Sequence, residues 1–528
     1  MKTLRLLIAA ALMLALSPSI ATASNMQESM FQDDPLLVYA SEAKMKATLD
    51  ELKAIGVDRI RVSLFWSVVA PGNSLVKKPN FDSSDPAAYG PGHWDRYDRL
   101  ILAAKERGIL VNLNPVSPIP RWGSEAASPR ADIQDRYMPD PVEFGRFVAA
   151  AGRRYSGDFQ ELPRVEYWSI FNEPNQGGWL TPQWKPDPRA PKRRIEAAPH
   201  IYRELVKASY QALADTGHGT DTILVGETAP KGGQNRRGLT IPIDALRFIR
   251  NMYCLDQNRQ RYKGTSAQVR GCPATGAQFV ADNPALFRAA GFAHHPYELY
   301  LAPKRRSGGK DWVTIANLPD LSRELKSIYA RYGQKTQTKR GVPLYLTEYG
   351  YQTPPDPLGV PFSRQAAYIN EAELIAYRNP LVRAMSQFLL VDDAPIAGEK
   401  NKRVAYRTFQ SGLKRLSGKR KPAYRSYVTP LYLNKTRLRR GQRVTVYGLL
   451  RAATATGTVK VQIQFRAKKS KRWKTRKTVS ANAPRHFLRT RIAVRRTGFI
   501  RLRWKNGATQ VVSRSVAVTI RRVAPGQR

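Results

Sequence analysis

Two glutamates follow apolar segments of the sequence, and side chains in such positions can do chemistry. Glu173 comes just after segment 165–171 in "VEYWSIFNEPN", and Glu348 follows an apolar run in "VPLYLTEYG". If these segments are buried strands, each carboxyl group stands at a strand end, where it could act as a general acid or as a nucleophile. The alternatives are structural, because Asn, Glu and Pro also mark loops and a lone strand-end glutamate is more often an ion-pair partner. The arrangement of the strands decides between them.

Further polar and aromatic residues occur at the ends of other apolar segments. They are Arg61, Trp66, Asn114, Asn172, Glu227, His295 and Tyr297. We expect this set to surround the two glutamates if the strands are parallel neighbours, with a structural role as the alternative for Glu227. The pair His294-His295 could suggest a metal, but no further ligand appears at a suitable spacing, so neither a metal nor another cofactor is predicted.

The elements that would position these residues repeat along the chain. Five times a helical pattern ends at a glycine and an apolar run follows; the first repeat has Ser41 as N-cap and Gly56 as its stop, and another opens with Asp140-Pro141. The segments "MQESMFQ", "GFAHHPY" and "MSQFLLVD" supply three more strands. About eight strand–helix units predict a (β/α)₈ TIM barrel, whose functional side chains lie at the carboxyl ends of the strands. An open doubly wound sheet is the alternative, but no glycine-rich phosphate loop supports it.

Residues 28–428 resemble the clan A retaining glycoside hydrolases, which include cellulases, mannanases, xylosidases and arabinofuranosidases. The resemblance depends on an ordered set: Arg61 on strand two, Asn172-Glu173-Pro174 after strand four, His295-x-Tyr297, and Glu348 after strand seven. The closing segment "FQSGLKRLSGKRKPAYRSY" also looks like the final turn and helix of such enzymes.

The resemblance implies a role for each matching residue. Glu173 would be the general acid/base and Glu348 the nucleophile, while Asn172 would hydrogen-bond the sugar 2-hydroxyl. Tyr297 would hold an oxygen of Glu348, and Arg61 would keep Glu348 ionised. A cation and a phenol beside Glu348 are expected to lower its pKa, and burial or the nearby negative charge to raise that of Glu173.

The sequence departs from this family at strand eight. Such enzymes often place a tryptophan there under the sugar, but "MSQFLLVDD" contains none, so we expect Phe388 or a loop aromatic to substitute. Four tryptophans could stack on sugar faces: Trp66, Trp122, Trp179 and Trp184. Core packing is the alternative for Trp66.

The N-terminal segment and the two cysteines indicate export. Residues 1–23 are typical of a signal peptide, with a charged start, an apolar core of 11 residues and a small-residue cleavage site, so the mature chain is expected to begin near Ser24. An uncleaved anchor is the alternative; otherwise no membrane span is expected. Cys254 and Cys272, which are 18 residues apart, more plausibly form a disulfide than a reactive pair in an exported chain.

Positive charge is concentrated at the C-terminus. Residues 400–528 contain 37 Lys and Arg and no Asp or Glu, so this segment supplies most of the net charge of +46. Short alternating strands from "RVTVYGLL" to "SVAVTIRR" predict an immunoglobulin-like sandwich over residues 429–528, after a catalytic domain at 24–428. The sandwich is either a solubility module or a surface that adheres to an anionic cell wall or acidic polysaccharide; nucleic acid is not expected as its natural partner.

The sequence therefore predicts a secreted retaining glycosidase that cleaves O-glycosidic bonds of a poly- or oligosaccharide, at an extracellular or wall-associated location. The rival hypothesis is a catalytically silent carbohydrate- or wall-binding protein built on the same barrel.

Overall fold

A computed structural model describes residues 26–233 and 236–521 of the chain. The predicted signal peptide lies outside these residues. Within the described part of the chain, no helix is both long and apolar enough to cross a membrane.

Eight parallel strands close into a barrel, which confirms the predicted fold class. Each strand pairs with its neighbours in sequence, and the first strand pairs with the eighth. The strands are β1 Glu28–Gln32, β2 Arg59–Phe65, β3 Leu110–Val116, β4 Tyr167–Ser169, β5 Thr222–Thr228, β6 Gly291–His294, β7 Leu344–Leu346 and β8 Val382–Phe388.

Helices follow every strand and form the outer ring of the barrel. The main ones are α1 Glu42–Ala54, α2 Asp95–Glu106, α3 Pro141–Arg154, α4 Ala198–Leu213, α5 Ala245–Met252, α6 Leu318–Arg331, α7 Phe362–Arg378 and α8 Pro422–Val428. Their apolar faces pack with the strands in the main hydrophobic core, and a smaller cluster of strand residues lies apart from it. Side chains at the carboxyl ends of the strands therefore converge on one mouth of the barrel.

Local signals explain where these helices begin and end. The Ser41 hydroxyl accepts a hydrogen bond from the Lys44 N–H, and the Asp140 carboxylate accepts from Val142 and Glu143 at the start of α3. Gly56 adopts φ +86°, where a side chain would be strained, and a Cβ there would lie 2.1 Å from the carbonyl oxygen of Arg451.

Long insertions lie between the strands. A two-stranded hairpin, Trp184–Asp187 with Ala190–Glu196, lies between β4 and α4. Three short helices lie between α5 and β6, and the disulfide Cys254–Cys272 joins the end of α5 to the turn after the first of them, so that predicted pairing is confirmed. Both cysteines are buried.

The C-terminal residues form two β-sheets around their own hydrophobic core, as an immunoglobulin-like sandwich requires. The strands are β9 Leu431–Leu433, β10 Arg437–Leu438, β11 Arg443–Leu449, β12 Thr458–Ala467, β13 Lys474–Asn482, β14 Phe487–Ala493, β15 Gly498–Asn506, β16 Thr509–Val512 and β17 Val516–Ile520. One sheet has the order β9-β11-β14 and the other β10-β17-β15-β12-β13, with β16 on the edge of β15.

The sandwich docks on the barrel through specific polar contacts. The buried guanidinium of Arg451 pairs with Glu373 on α7 and donates to the carbonyl of Tyr427 at 2.8 Å, and Arg485 pairs with Asp58 beside β2. Asp58 immediately precedes the amino end of β2, so this contact lies at the end of the barrel opposite the candidate site.

Candidate active site

A cavity of about 510 Å³ opens at the carboxyl ends of the barrel strands. Four of the predicted site residues line it: Asn172, Glu173, Tyr297 and Glu348. Glu173 and Glu348 follow β4 and β7, which lie on different sides of the mouth. One carboxylate oxygen of Glu173 lies within 4.8 Å of one of Glu348. Two carboxyl groups this close cannot both ionise freely, so their protonation is linked.

Arg61 organises the floor of this cavity. Its guanidinium is fully buried and donates to Glu348 Oε1 at 2.8 Å, to Glu227 Oε2 at 3.1 Å and to Asn172 Oδ1 at 2.7 Å. It also donates to Gln32 and Asn114. Burial opposes its charge, but the negative charges of Glu227 and Glu348 raise its pKa, so Arg61 stays a cation. It binds and orients side chains at five strand ends at once.

His295 links the catalytic candidates from the other side. Its Nδ1 lies 2.9 Å from Glu173 Oε1 and 3.7 Å from Glu348 Oε2, and its Nε2 lies 2.7 Å from Glu227 Oε2. Burial alone would lower the pKa of His295, but the charge of Glu348 and the hydrogen bonds to Glu173 and Glu227 raise it to about 10. The ring is therefore an imidazolium that donates from both nitrogens.

Glu227 is the permanent counter-charge beneath the pair. Burial would raise its pKa, but the charge of Arg61 and the hydrogen bond from His295 hold it at about 2. The Thr347 hydroxyl donates to the same carboxylate at 2.6 Å. The low pKa favours the ionised form of Glu227, which pairs with both Arg61 and His295.

Tyr297 and Asn172 present oriented polar groups to the cavity. The Tyr297 hydroxyl donates to Glu348 Oε2 at 3.0 Å, so both oxygens of Glu348 accept a hydrogen bond, one from Tyr297 and one from Arg61. Because the guanidinium only donates, it fixes the Asn172 amide with Oδ1 inward. The Nδ2 donor of Asn172 is left for a ligand in the cavity.

The pKa of Glu348 differs from the sequence-based expectation. Burial raises it; the charges of His295 and Arg61 act in the opposite direction, and those of Glu173 and Glu227 add to the increase. The charge of Arg61 acts to lower this pKa, as predicted, but burial outweighs it, and the sequence could not show how deeply the carboxylates are buried together.

The raised pKa of Glu348 predicts the acidic side of a pH profile. Activity that needs ionised Glu348 should fall as the pH drops through a value above 4.5, the ordinary pKa of glutamate. Arg61→Met should move that limb of kcat/KM to higher pH and, by leaving buried carboxylates unpaired, lower the free energy of unfolding by about 3–5 kcal/mol. Activity against pH and urea unfolding measure the two effects. An unmoved limb in a folded variant would contradict the role given to Arg61.

Protonated His295 predicts a second pH effect, on stability. Its pKa is about 10 in the folded protein and near 6.5 when unfolded, so its contribution is fully present below pH 6.5 and is lost as the pH rises through 10. We expect stability to fall by a few kcal/mol between pH 6.5 and 10. His295→Gln should be less stable at pH 6 and should lose less on alkalinisation. Parallel curves for the parent and the variant would refute the imidazolium.

Four predicted substrate contacts lie below the cavity surface instead. Arg61, Asn114, Glu227 and His295 are each 0% exposed, so they bind one another and the catalytic candidates rather than a ligand. Asn114 donates to the carbonyls of Ser169 and Phe171 while accepting from Arg61. Their burial argues against direct contact with a ligand, because strand-end position does not fix how deep a side chain lies.

Three of the four tryptophans proposed as sugar platforms are core residues. Trp66 is fully buried and packs against Trp122, Phe144 and Phe147, and Trp122 and Trp184 are also buried. Core packing, the alternative given for Trp66, fits its full burial at the start of a short helix, Trp66–Val69, just after β2. Of the four, only Trp179 lines the cavity.

Phe388, which was expected to substitute for a strand-eight tryptophan, lines the cavity, and two further lining residues, Phe409 and Asp34, were not named from sequence. Phe388 at the end of β8 and Phe409 in the following loop form an edge-to-face pair, 5.0 Å between ring centres, in the cavity wall. Asp34 lies just beyond β1 and also lines the cavity; burial raises its pKa. Its position after the weak strand "MQESMFQ" was the available signal.

Backbone strain clusters at the same strand ends. Glu173 and Glu227 have positive φ angles of 38° and 44°, and Phe171 has 64°. Side chains other than glycine rarely adopt this region, and they do so mainly where function or tight packing demands it. The Glu173 N–H donates to the Glu227 carbonyl at 2.9 Å, which couples the two strained positions.

One group of side chains in the described ranges has the spacing of a metal site. Glu173, His295 and Glu348 each offer an atom within 4.8 Å of the others. A metal requires a lone pair on the imidazole, but both nitrogens of His295 are committed to carboxylates. The neighbouring His294 bonds Thr228 and the Val313 carbonyl, and burial lowers its pKa to about 3. Ion pairing accounts for this cluster.

Comparison with known proteins finds similarity at the level of solved structures. No family model and no curated protein matches the chain. A family 39 glycoside hydrolase from Bacteroides cellulosilyticus WH2 matches with 14% identity and a TM-score of 0.48, covering 90% of this chain and 81% of that one. The GH39 enzyme from Xanthomonas axonopodis pv. citri matches with 13% identity and a TM-score of 0.46, covering 90% and 94%.

A third match is GH5_18 from Streptomyces cattleya, solved with GlcNAc, at 16% identity and a TM-score of 0.46, covering 77% of this chain and 79% of that one. All three TM-scores are below 0.5, so function is inferred below from the geometry of the site itself.

Proposed function

We propose that this protein is a glycosidase that cleaves O-glycosidic bonds with retention of anomeric configuration. The observation that carries the proposal is the pair Glu173 and Glu348 in the barrel-mouth cavity, with one oxygen of each within 4.8 Å. Retaining glycosidases hold their two carboxyl groups about 5–5.5 Å apart, whereas inverting enzymes need about 6.5–9.5 Å to admit a water. The separation supports direct attack by one of the carboxylates.

Hydrogen bonding supports different roles for Glu173 and Glu348. Three carboxylates contact two cations in this cluster: Glu173, Glu227 and Glu348 with Arg61 and His295. One added proton therefore makes the cluster neutral. A proton on Glu348 would compete with the donors Arg61 and Tyr297. Glu173 accepts a hydrogen bond from His295 through Oε1, so its Oε2 can hold the proton. Glu173 is therefore the acid and Glu348 the nucleophile.

In the first step, a Glu348 oxygen attacks the anomeric carbon as the bond to the leaving oxygen breaks and Glu173 transfers its proton to that oxygen. Glu348 loses its negative charge as it becomes an ester, so Arg61 and Tyr297 then face a neutral group. Glu173 can then accept a proton from water, whose oxygen attacks the anomeric carbon as the bond from that carbon to the Glu348 oxygen breaks, which releases the sugar and regenerates the Glu348 carboxylate.

The cavity walls are suited to a sugar. Trp179, Phe388 and Phe409 supply apolar rings for the faces of pyranoses or furanoses, and Phe388 occupies the strand-eight position where a tryptophan is absent. The Asn172 amide offers a donor and the Asp34 carboxylate an acceptor for hydroxyl groups. A poly- or oligosaccharide substrate fits these groups.

A screen of aryl glycosides, with products followed by NMR, tests the proposal. We expect hydrolysis of at least one glycoside, with the first-formed sugar in the same anomeric configuration as the substrate. An initially inverted product would overturn the two-step mechanism. Tight binding of sugars with no hydrolysis of any glycoside would favour the silent-binder hypothesis instead.

Export is part of the proposal. The charged and apolar pattern of residues 1–23 and the disulfide Cys254–Cys272 both suit an oxidising, extracellular location. Attraction of the basic residues 429–528 to an anionic cell wall or acidic polysaccharide would keep the enzyme near its substrate. Mass spectrometry of the N-terminus of the exported protein would test cleavage near Ser24.

A further inference from the structure

The outer face of the larger sheet in the sandwich carries a stripe of cations. Side chains alternate along β12 and β15, so that Ile500, Leu502 and Trp504 are buried and Arg501 and Arg503 point outward. On β12, Lys460 and Arg466 stand at the two ends of the same face, about 20 Å apart along the strand. Gln462 lies opposite Arg503 in the register of the two strands.

A concave site of about 430 Å³ lies at one end of this face. Its polar lining combines three cations with two amides and two hydroxyls: Lys460, Arg503, Lys505, Gln462, Gln510, Thr458 and Thr478. Lys460 and Lys505 are exposed and Arg503 is half-buried. The site is thus a shallow groove in which cations and hydrogen-bonding groups are interspersed.

Protein carboxylates do not neutralise these cations. Residues 429–521 contain no Asp or Glu, and within the described chain the ion pairs of this region are those that Arg451 and Arg485 make with the barrel. Lys460 donates to the Ser480 hydroxyl at 3.1 Å and Arg503 to the Gln510 amide oxygen. The pKa of Arg501 is lowered by its partial burial and then by the positive charges of Arg503, Arg425 and Arg466.

We propose that this groove, lined by Lys460, Arg503 and Lys505, is a non-catalytic binding site for an acidic polysaccharide whose sugar carboxylates pair with the cations. The inference deepens the proposed function, because it assigns the attraction of the basic region to one site and one ligand chemistry. A guanidinium binds a carboxylate through two parallel hydrogen bonds, and the flanking amides and hydroxyls match sugar hydroxyls. The bound polymer would hold the barrel at its substrate.

The aromatic residues of this face favour a polysaccharide over nucleic acid. Single-stranded nucleic acid is bound by stacking of bases on exposed rings beside a cationic groove. Here the Trp473 ring is covered by the guanidinium of Arg501, 4.1 Å from the ring centre, and by that of Arg466 at 5.3 Å. Trp504 at the groove is buried. The groove offers no open ring among the described residues that line it.

The test compares two triple variants of the full-length protein that lose the same charge. One replaces the groove cations, Lys460→Gln, Arg503→Gln and Lys505→Gln. The control replaces Lys435→Gln, Arg443→Gln and Arg491→Gln, exposed residues on or beside the opposite sheet. Binding to polygalacturonate is measured at low and high salt, with neutral dextran as the ligand control and urea unfolding as the fold control.

We expect the groove variant to lose at least about tenfold in affinity for polygalacturonate at low salt, and the control variant to change much less. Dextran should bind neither. Equal losses in both variants would overturn the groove, because net charge alone would then explain binding. Failure of the parent protein to bind polygalacturonate, or stronger binding of single-stranded DNA that the groove variant abolishes, would also overturn it. None of these outcomes bears on glycoside hydrolysis, which is measured separately.

Discussion

Glu348→Ala is expected to lower kcat on an activated aryl glycoside by on the order of 10⁵. Its carboxylate is the group that attacks the anomeric carbon, and the two donors that orient it, Arg61 and Tyr297, cannot replace it. Substrate should still bind, because Asn172 and the aromatic walls are unchanged. Initial rates measure the loss, and calorimetric titration with the glycoside measures the retained affinity.

Glu125→Ala serves as the matched control, because Glu125 is an exposed glutamate in the loop between β3 and α3. That variant should retain parental rates. A Glu348→Ala variant that folds, binds and turns over like the parent would remove Glu348 from the mechanism and place the site elsewhere.

Glu173→Ala is expected to fail at a different step. A substrate with a good leaving group needs little acid help, so Glu348 should still be glycosylated, but water would lack its base and the ester should accumulate as a burst. Steady-state kcat should fall by about 10²–10⁴. Azide needs no general base and should restore turnover, giving a glycosyl azide of retained configuration. Rapid-quench kinetics and NMR of the azide measure both effects.

Leaving-group dependence supplies the control for this second prediction. On a glycoside with a poor leaving group, Glu173→Ala should show neither burst nor azide rescue, because the first step then also needs the acid. An azide product of inverted configuration would instead mean that Glu348 is not the nucleophile and that azide occupies the place of an attacking water.

The barrel could be predicted from sequence because its signals are local. Ser41 and Asp140 cap helices with their own side chains, and Gly56 ends a helix with a positive φ. Strand positions also agreed with the apolar runs, although β4 is reduced to Tyr167–Ser169. Helix caps and apolar periodicity need no knowledge of distant residues.

The site could be predicted only in part, because depth and partnership are long-range properties. Sequence placed Glu173 and Glu348 at strand ends, but it could not show that Glu227 lies fully buried between two cations. It also could not distinguish Trp66, which packs in the core, from Trp179, which lines the cavity. Asp34 was missed because its strand is short and its run weakly apolar.

The contact between the barrel and the sandwich also could not be predicted from sequence. Arg451 is one of many arginines in a basic region, and nothing local distinguishes it from those that face solvent. In the structure it pairs with Glu373 and stacks over Tyr427 at 4.1 Å. Removal of the sandwich would therefore leave a buried carboxylate unpaired, and substitutions on its outer face are a cleaner test of its role.

The central claim is that Glu348 forms a covalent bond to the sugar, and the mass of the trapped protein tests it most directly. Glu173→Ala incubated briefly with an activated aryl glycoside should gain the mass of one glycosyl residue. Peptide mapping should place that mass on the fragment containing Glu348, and azide should remove it. An adduct on another residue, or a burst of product from a protein whose mass never changes, would contradict the account.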